Sequence, residues 1–424
     1  MLTKDGELEL KKYADKEFPQ TLTKVNDRIY HAFSFGHSNA TIIIAQSSVI
    51  LIDTLESEPS GRLLKATIEK LTAKPVKTII YTHGHPDHWG GAEVFAESVE
   101  EVIAFAPKNK PLKHTEIINP ILGKRAFRQF GYSLSDEELI TQGLGIREKR
   151  GEKPFKIIKP TTVYEDWEVE RVIDGVKIKM VAAPGETDDQ IFVWLEDDRA
   201  LCCGDNYYAC WPNLYAIRGS QYRDVASWVD SLRAMSQYPA QALLPGHTKA
   251  ILGEQKVQEV LENYAGALES ILLQTLECLN RGLSVSEAVE TVKLPSQYAS
   301  LGYLKEFYGS IDWSVRGIYQ GYVGWFDGNP TNLHPLSDKE YAERLIPLLG
   351  GREKVEQIIA EALNAEDFKD WQWALQLCDM LMQADKSSEL KKLKAEILLK
   401  IAPLETSANG RHYYQTVAKE LLGE

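Results

Sequence analysis

Cysteine is scarce in this chain: five residues in 424, at positions 202, 203, 210, 278 and 378. So sparse and odd a set excludes the disulfide framework of a small secreted domain. Long apolar runs are lacking too, since none approaches the roughly 20 residues that cross a bilayer. The opening residues, MLTKDGELELKKYADKEF, are charged from the start and contain no apolar core of a signal peptide. Positive charge is in deficit: 48 Lys and Arg against 61 Asp and Glu leave −13. A nucleic-acid surface would need a strongly basic local patch to overcome that balance. The densest candidate, 147–153, is interrupted by Glu148 and Glu152 and reads as a solvated loop. What remains is a globular composition, 44% hydrophobic with 9 Trp and 19 Tyr, in a chain too long for one ordinary core. The expectation is a cytoplasmic protein of two domains, with neither membrane nor nucleic acid as partner.

The first half alternates strand and helix. IYHAFSF, ATIIIAQ and SSVILIDT are β patterns, the last two joined by a polar turn. EPSGRLLKATIEKL has helical spacing, VKTIIYT is a short buried strand, and GGAEVFAESVEE is expected to be a further helix. Later strands are 176–184, 190–196, 200–205 and 241–246, each ending in Gly, Pro or an acid. Strand signals stop near residue 253. Beyond it the pattern is amphipathic helix, beginning with KVQEVLENYAGALESILLQTLECLNRG, which Gly282 should terminate. Residues 351–424 resemble short helical hairpins without a clean period. The fold class is therefore α/β over 1–253, followed by an all-α segment over 254–424.

Histidine is the next scarce residue, nine in all, yet YTHGHPDHWGG places three within six positions. His83 and His85 end a strand, and Asp87 and His88 follow in the same loop. Imidazole and carboxylate together suit zinc and similar first-row ions. A single six-residue loop cannot wrap one ion with all four groups, so the spacing favours two pairs on two ions. Further ligands must come from other strand ends, where Glu186 (AAPGETDD), Asp205 (CCGDN) and His247 (LLPGHT) stand. Alone, each reads as a turn acid or a helix-entry residue. With the histidine loop they complete a dinuclear set, Asp205 being placed to bridge.

H-x-H-x-D-H, P-G, G-D and P-G-H, in this order, resemble the metallo-β-lactamase superfamily over about residues 25–250. The resemblance implies an αββα sandwich with two metals at one edge and mainly hydrolytic chemistry. Asp53, ending VILIDT, matches the acid that supports the family's histidine loop. Most members carry His after the P-G turn; here PGE puts Glu186 there. That departure resembles the alkyl sulfatase (type III sulfatase) branch, which also shows the pattern NLYAIRG (213–219). YGSIDWSVRGIYQGYVGWFDGNPTNLHPL, 308–336, is similar to the dimerisation domain of that branch. Two departures remain: the bridging acid is Asp205 where the branch usually has Glu, and the resemblance stops at 424, before the sterol-carrier-like domain of long members.

The resemblance implies a homodimeric hydrolase of sulfate monoesters holding two zinc ions, with manganese or iron tolerated. His83, His85 and Glu186 would hold one ion, Asp87, His88 and His247 the other, with Asp205 between and a metal-activated hydroxide as nucleophile. Three carboxylates and the hydroxide cancel the four charges of the ions, so an anionic substrate needs a further cation. Arg218, a planar fork, and Asn213, an amide donor, would supply the sulfate contacts beside Asp87 in the catalytic set. Tyr207, Tyr208, Trp211 and Tyr215 either line an alkyl channel or pack a core, and the sequence leaves both open. His37 and His114 fall outside the ligand pattern, and Cys210 is surplus to it. GWFDGNP reads as a tight turn whose aromatics tie the helical half to its neighbour. The competing readings are a hydrolase of a lactone, thioester or lactam, and a metal-stabilised interaction protein that catalyses nothing.

Overall fold

Alternation within the strands decides which layer each side chain enters. The computed structural model describes residues 2–110, 112–148 and 157–424; 149–153 of the basic run lie outside the described residues. One sheet runs in sequence order: β1 (Thr21–Lys24), β2 (Ile29–Phe33), β3 (Ala40–Ile44), β4 (Val49–Ile52), β5 (Val76–Ile80), β6 (Glu101–Phe105) and β7 (Thr162–Tyr164). The other comprises β8 (Glu168–Ile173), β9 (Val176–Ala182), β10 (Ile191–Leu195), β11 (Ala200–Gly204), β12 (Ala242–Pro245) and β13 (Ile251–Leu252), in the spatial order β13-β12-β11-β10-β9-β8. In β10 the odd residues Ile191, Val193 and Leu195 meet Ile43, Ile50, Ile52 and Ile80 of the first sheet. The even residues Phe192 and Trp194 face outward, into a layer of helices. Both faces of the strand are therefore buried, and its sequence, IFVWL, is apolar throughout.

Each sheet has a helical cover. Parallel pairs need a crossover, and between β4 and β5 it is the helix Glu58–Leu71, which starts in a Ser57/Ser60 capping box and buries Leu64 and Ile68. Between the parallel β11 and β12 it is Val225–Ser236, burying Trp228, Val229 and Leu232. The result is the expected αββα sandwich with helices beyond it. GGAEVFAESVEE is a correction: only a 3-10 turn forms, over Ala92–Phe95. Gly91 lies against the carbonyls of Thr54 and Ser57, where any side chain would collide. Its N–H is spent on the carbonyl of Leu55. The chain is pinned to the loop after β4, so an α-helix cannot start there.

Beyond residue 253 everything is helical. Glu254–Asn280 runs for 27 residues and stops, as expected, at Gly282 with φ +71°. The helices Asp338–Leu348, Arg352–Asn364, Phe368–Ala384, Ser388–Ile401 and Ala408–Leu422 follow, and the last four share one apolar cluster. The helical half does not stand apart from the sheets. Val257, Leu261, Tyr264, Leu268 and Ile318 belong to the same buried cluster as Phe192, Trp211, Trp228 and Leu243. His412, on the last helix, places its ring nitrogens 3.1 Å and 3.0 Å from the carbonyls of Gln129 and Leu139. All five cysteines are free and buried. Among the described residues no helix is long and apolar enough to cross a membrane.

Candidate metal centre

Strand ends bring the predicted ligands to one edge of the sandwich. Asp53 follows β4, His83 follows β5, Glu186 follows β9, Asp205 follows β11 and His247 follows β12. His85, Asp87 and His88 come from the loop and the single helical turn Pro86–Trp89 after β5. Two glycines allow the approach. Gly204 has φ +51° and turns the chain so that Asp205 points inward. Gly246 lies against Asp205 and the His88 ring, leaving no room for a Cβ.

The seven side chains converge. The Asp205 carboxylate is 3.3 Å from His88 Nε2, 3.2 Å from His247 Nε2 and 3.6 Å from His83 Nε2. Asp87 Oδ2 is 3.2 Å from His247 Nε2 and 3.5 Å from His88 Nε2. His83 Nε2 lies 3.0 Å from His85 Nδ1. Donor atoms of His83, His88 and Asp205 lie within 4.8 Å of one another, as do those of His85, Glu186 and Asp205. Asp205 belongs to both groups.

The outward nitrogens are held from behind. His88 Nδ1 meets Asp53 Oδ2 at 2.8 Å, His83 Nδ1 meets Thr82 Oγ1 at 3.0 Å, and His247 Nδ1 meets the carbonyl of His37 at 3.0 Å. Such partners fix ring orientation and tautomer at metal sites. Asp53 also accepts from Thr82 N and Oγ1, both at 2.8 Å. Its φ of +60°, uncommon for a residue with a side chain, directs the carboxylate between the two loops.

The electrostatics ask for cations. Burial alone would push His247 down, yet Asp205 and Asp87 together outweigh it and raise it to about 10. His88 behaves likewise against burial, raised by Asp205, Asp87 and Asp53. Burial lowers His83 to about 3, His88 adding to the effect. Burial drives Glu186 up to about 7 even against the charge of Arg223. His88 Nε2, Asp205 Oδ1 and Glu186 Oε2 are buried without a hydrogen-bond partner. Buried polar atoms normally have one, so imidazole nitrogens and carboxylate oxygens aimed at a common point fit divalent ions.

A cavity of about 300 Å³ opens onto the cluster. Asn213 and Arg218 line it, with the Arg218 Nη2 atom 3.4 Å from His85 Nε2. Asn213 is fixed through its backbone, its N–H donating to Tyr208 Oη at 2.9 Å, while its side-chain Oδ1 is buried without a partner. Tyr207, Tyr208 and Trp211 are fully buried and outside the cavity, so they are core. The apolar wall is instead Ala126, Phe130, Tyr132 and Tyr308, the last from the helical half. Cys210 is buried in that core and belongs to none of the candidate donor groups among the described residues. His114 is exposed beside Glu116.

Three residues at the site carried no sequence signal of their own. Arg223 is buried, donating to Glu186 Oε1 at 2.7 Å and to the carbonyl of Asn213 at 2.6 Å. The need to neutralise a buried Glu186 was the clue that could have found it. Glu148 is a correction to the solvated-loop expectation: it accepts from His37 N at 2.7 Å and from Ser57 Oγ, and lines the cavity. Arg147 lines it too, anchored to the carbonyl of Leu134 at 2.6 Å. His37, set aside on pattern, sits within 4.8 Å of Asp87 and His247 through its ligand atoms.

Comparison with known proteins matches residues 34–247 to the metallo-beta-lactamase superfamily and 284–424 to the alkyl sulfatase dimerisation family. A linear primary-alkylsulfatase of Pseudomonas is 35% identical over 393 residues, covering 90% of this chain and 74% of the relative. The alkyl/aryl-sulfatase BDS1 of Saccharomyces cerevisiae is 29% identical, covering 94% of this chain and 64% of its own length. The solved structure of a stereoselective inverting sec-alkylsulfatase, Pisa1, from Pseudomonas superposes with a TM-score of 0.87 at 25% identity, over 97% of this chain and 67% of that one. The two family matches and these relatives together cover both the sandwich and the helical half of this chain: the chain belongs to the alkylsulfatase family of the metallo-β-lactamase superfamily.

Proposed function

We propose that the chain hydrolyses sulfate monoesters of alcohols at a centre of two divalent ions, R–O–SO3⁻ and water giving R–OH and hydrogensulfate. The observation that carries it is Arg218: a half-buried guanidinium on the cavity wall for which, among the described residues, no salt bridge forms. Burial, with Arg223 adding to it, disfavours its charge, so an arriving anion relieves an electrostatic cost already present. A neutral lactone or lactam would not. The names of the relatives, alkylsulfatases, point the same way.

His83, His85 and Glu186 would hold one ion, Asp87, His88 and His247 the other, and Asp205 both. Zinc suits this mixture of imidazole and carboxylate, and manganese or iron is tolerated. Bound there, the ions supply Lewis acidity and lower the pKa of water. The protein's own groups do the rest. Arg218 holds two sulfate oxygens through its fork and Asn213 donates to a third. Asp87, the carboxylate of the cluster most open to the cavity, accepts a hydrogen bond from the attacking water and orients it. Arg223 neutralises Glu186 and keeps the Asn213 loop in place. The alcohol lies on Phe130, Tyr132 and Tyr308. The cavity of about 300 Å³ lies within the range of ligand sites. A panel of sulfate, phosphate, lactone and lactam substrates, read by free sulfate and by product, tests this. Sulfate release from alkyl sulfates is expected; turnover confined to the neutral substrates would overturn it.

The helical half is proposed to form a homodimer, in keeping with its family match. GWFDGNP does not pack within the chain: Trp325 is 72% exposed, and Tyr322, Val323, Leu333, Leu336 and Tyr341 are exposed around it. So much apolar surface on one stretch marks an interface. Light scattering should give a particle of twice 47.8 kDa. A chain ending at Gly253 should aggregate, since Trp211, Trp228 and Leu232 lose Val257, Leu261 and Tyr264 from their cluster. A soluble, active monomer of the truncated chain would count against the proposal.

A further inference from the structure

We infer that His37 is an additional metal ligand, completing a donor set with Asp87 and His247 on the cavity side of the centre; this rests on the metal-centre reading above. Ligand atoms of these three residues lie within 4.8 Å of one another. The set is distinct from the two that share Asp205, and Asp87 is its only carboxylate.

His37 is held as a ligand would be. Its Nδ1 is 3.2 Å from the carbonyl of Ile146, which leaves Nε2 as the free nitrogen. Gly145 packs against the back of the ring and the His37 carbonyl so closely that a Cβ would collide with both. The His37 N–H is spent on Glu148 Oε2 at 2.7 Å, and its carbonyl receives His247 Nδ1 at 3.0 Å. The imidazole stands 5.0 Å from the His247 ring, centre to centre, at an interplanar angle of 60°. Backbone and ring are thus tied on three sides to the 145–148 segment and to a ligand. An apolar residue would fill the same volume without needing the Ile146 carbonyl. The Ile146 contact occupies Nδ1 and leaves Nε2 available, and the donor groups within 4.8 Å of the His37 ligand atom are Asp87 and His247.

The test is zinc affinity by chelator competition on the full-length chain, for wild type, His37→Ala and His37→Gln, with cobalt spectra of each. Wild type should hold two ions. Both variants should bind one ion at wild-type strength and the other at least about tenfold more weakly, the lower bound for losing even an outer partner of a ligand. Their cobalt absorption should change in band position. Unchanged affinities at both sites with an unchanged cobalt spectrum would overturn the role of His37 and leave the metal centre standing. A wild-type chain that binds no ion would overturn both. Should the variants fail to fold, cadmium-substituted wild type with isotope-labelled histidine decides. Scalar coupling from metal to a His37 nitrogen is expected beside those to His83, His85, His88 and His247, and its absence while the others appear overturns the inference.

Discussion

Asp205→Asn is expected to yield a folded chain that retains neither ion through gel filtration and releases no measurable sulfate. The substitution preserves shape and removes one negative charge from a residue only 2% exposed. Asp205 lies within 3.6 Å of three ligand imidazoles, His83, His88 and His247, and belongs to both donor groups that contain His83 and His85. An amide oxygen is a far poorer ligand for a divalent ion than a carboxylate. With Asp205 neutral, Asp87 and Glu186 are the carboxylates left in the ligand set, one for each ion. Metal retention should fall by well over the roughly 10–100-fold typical of outer partners, at both sites together. Elemental analysis after zinc loading checks this, with circular dichroism to confirm the fold. Retention of one ion at wild-type strength would mean that Asp205 serves a single ion and does not bridge. Asp205→Glu, which restores the acid, should recover metal; two ions without activity would separate the bridging role from the spacing of the centre.

The convergence of the candidate ligands was legible because four of them follow a buried strand and its closing turn: Thr82 before His83, Pro184-Gly185 before Glu186, Gly204 before Asp205, Gly246 before His247. Strand ends on one edge of a sandwich are brought together by topology alone, so local pattern was enough. The sandwich was legible for the same reason, through runs such as ATIII and IFVWL. The edge strands were not. β1 is TLTK and half exposed, and β7 has three residues, so neither carries an apolar signature. What sequence could not show was contact made at long separation. His37 reaches the centre because Ile146 and Glu148, over a hundred positions away, fix its ring and its N–H. Glu148 itself sits in a run of alternating charge, the pattern of a solvated loop, yet it is half-buried, with Ser57 Oγ and the His37 N–H as partners. Tyr308 came from the half read as purely structural, yet it closes the cavity. The aromatics of 207–211, equally balanced between channel and core, became core because Tyr264 and Ser314 of the helical half reach in to hydrogen-bond the Cys210 carbonyl and the Trp211 indole.

Arg218→Ala should lower kcat/KM for an alkyl sulfate by about a hundredfold or more, about 3 kcal/mol, the scale of losing a charge-assisted partner in a partly dry site. Two arginines lie near the cluster and the structure distinguishes them. Arg223 is committed, its Nη1 shared between Glu186 and the carbonyl of Asn213. Arg218 has its backbone N–H tied to Gln129 Oε1 at 2.8 Å, while its guanidinium faces the cavity, with one long contact from Nη2 to His85 Nε2 at 3.4 Å. Its removal therefore deletes no salt bridge among the described residues, and metal content and thermal stability should stay at wild-type level. Arg218→Lys should recover part of the loss, since an ammonium supplies the charge without the planar fork. The charge of the substrate is the discriminating variable. Slow hydrolysis of a neutral lactone, where any is found, should be unchanged or rise in Arg218→Ala, because the cation contributes nothing to a neutral ester. Equal losses on sulfate and lactone, or a parallel loss of zinc, would show that Arg218 supports the His85 loop and that the sulfate is held elsewhere.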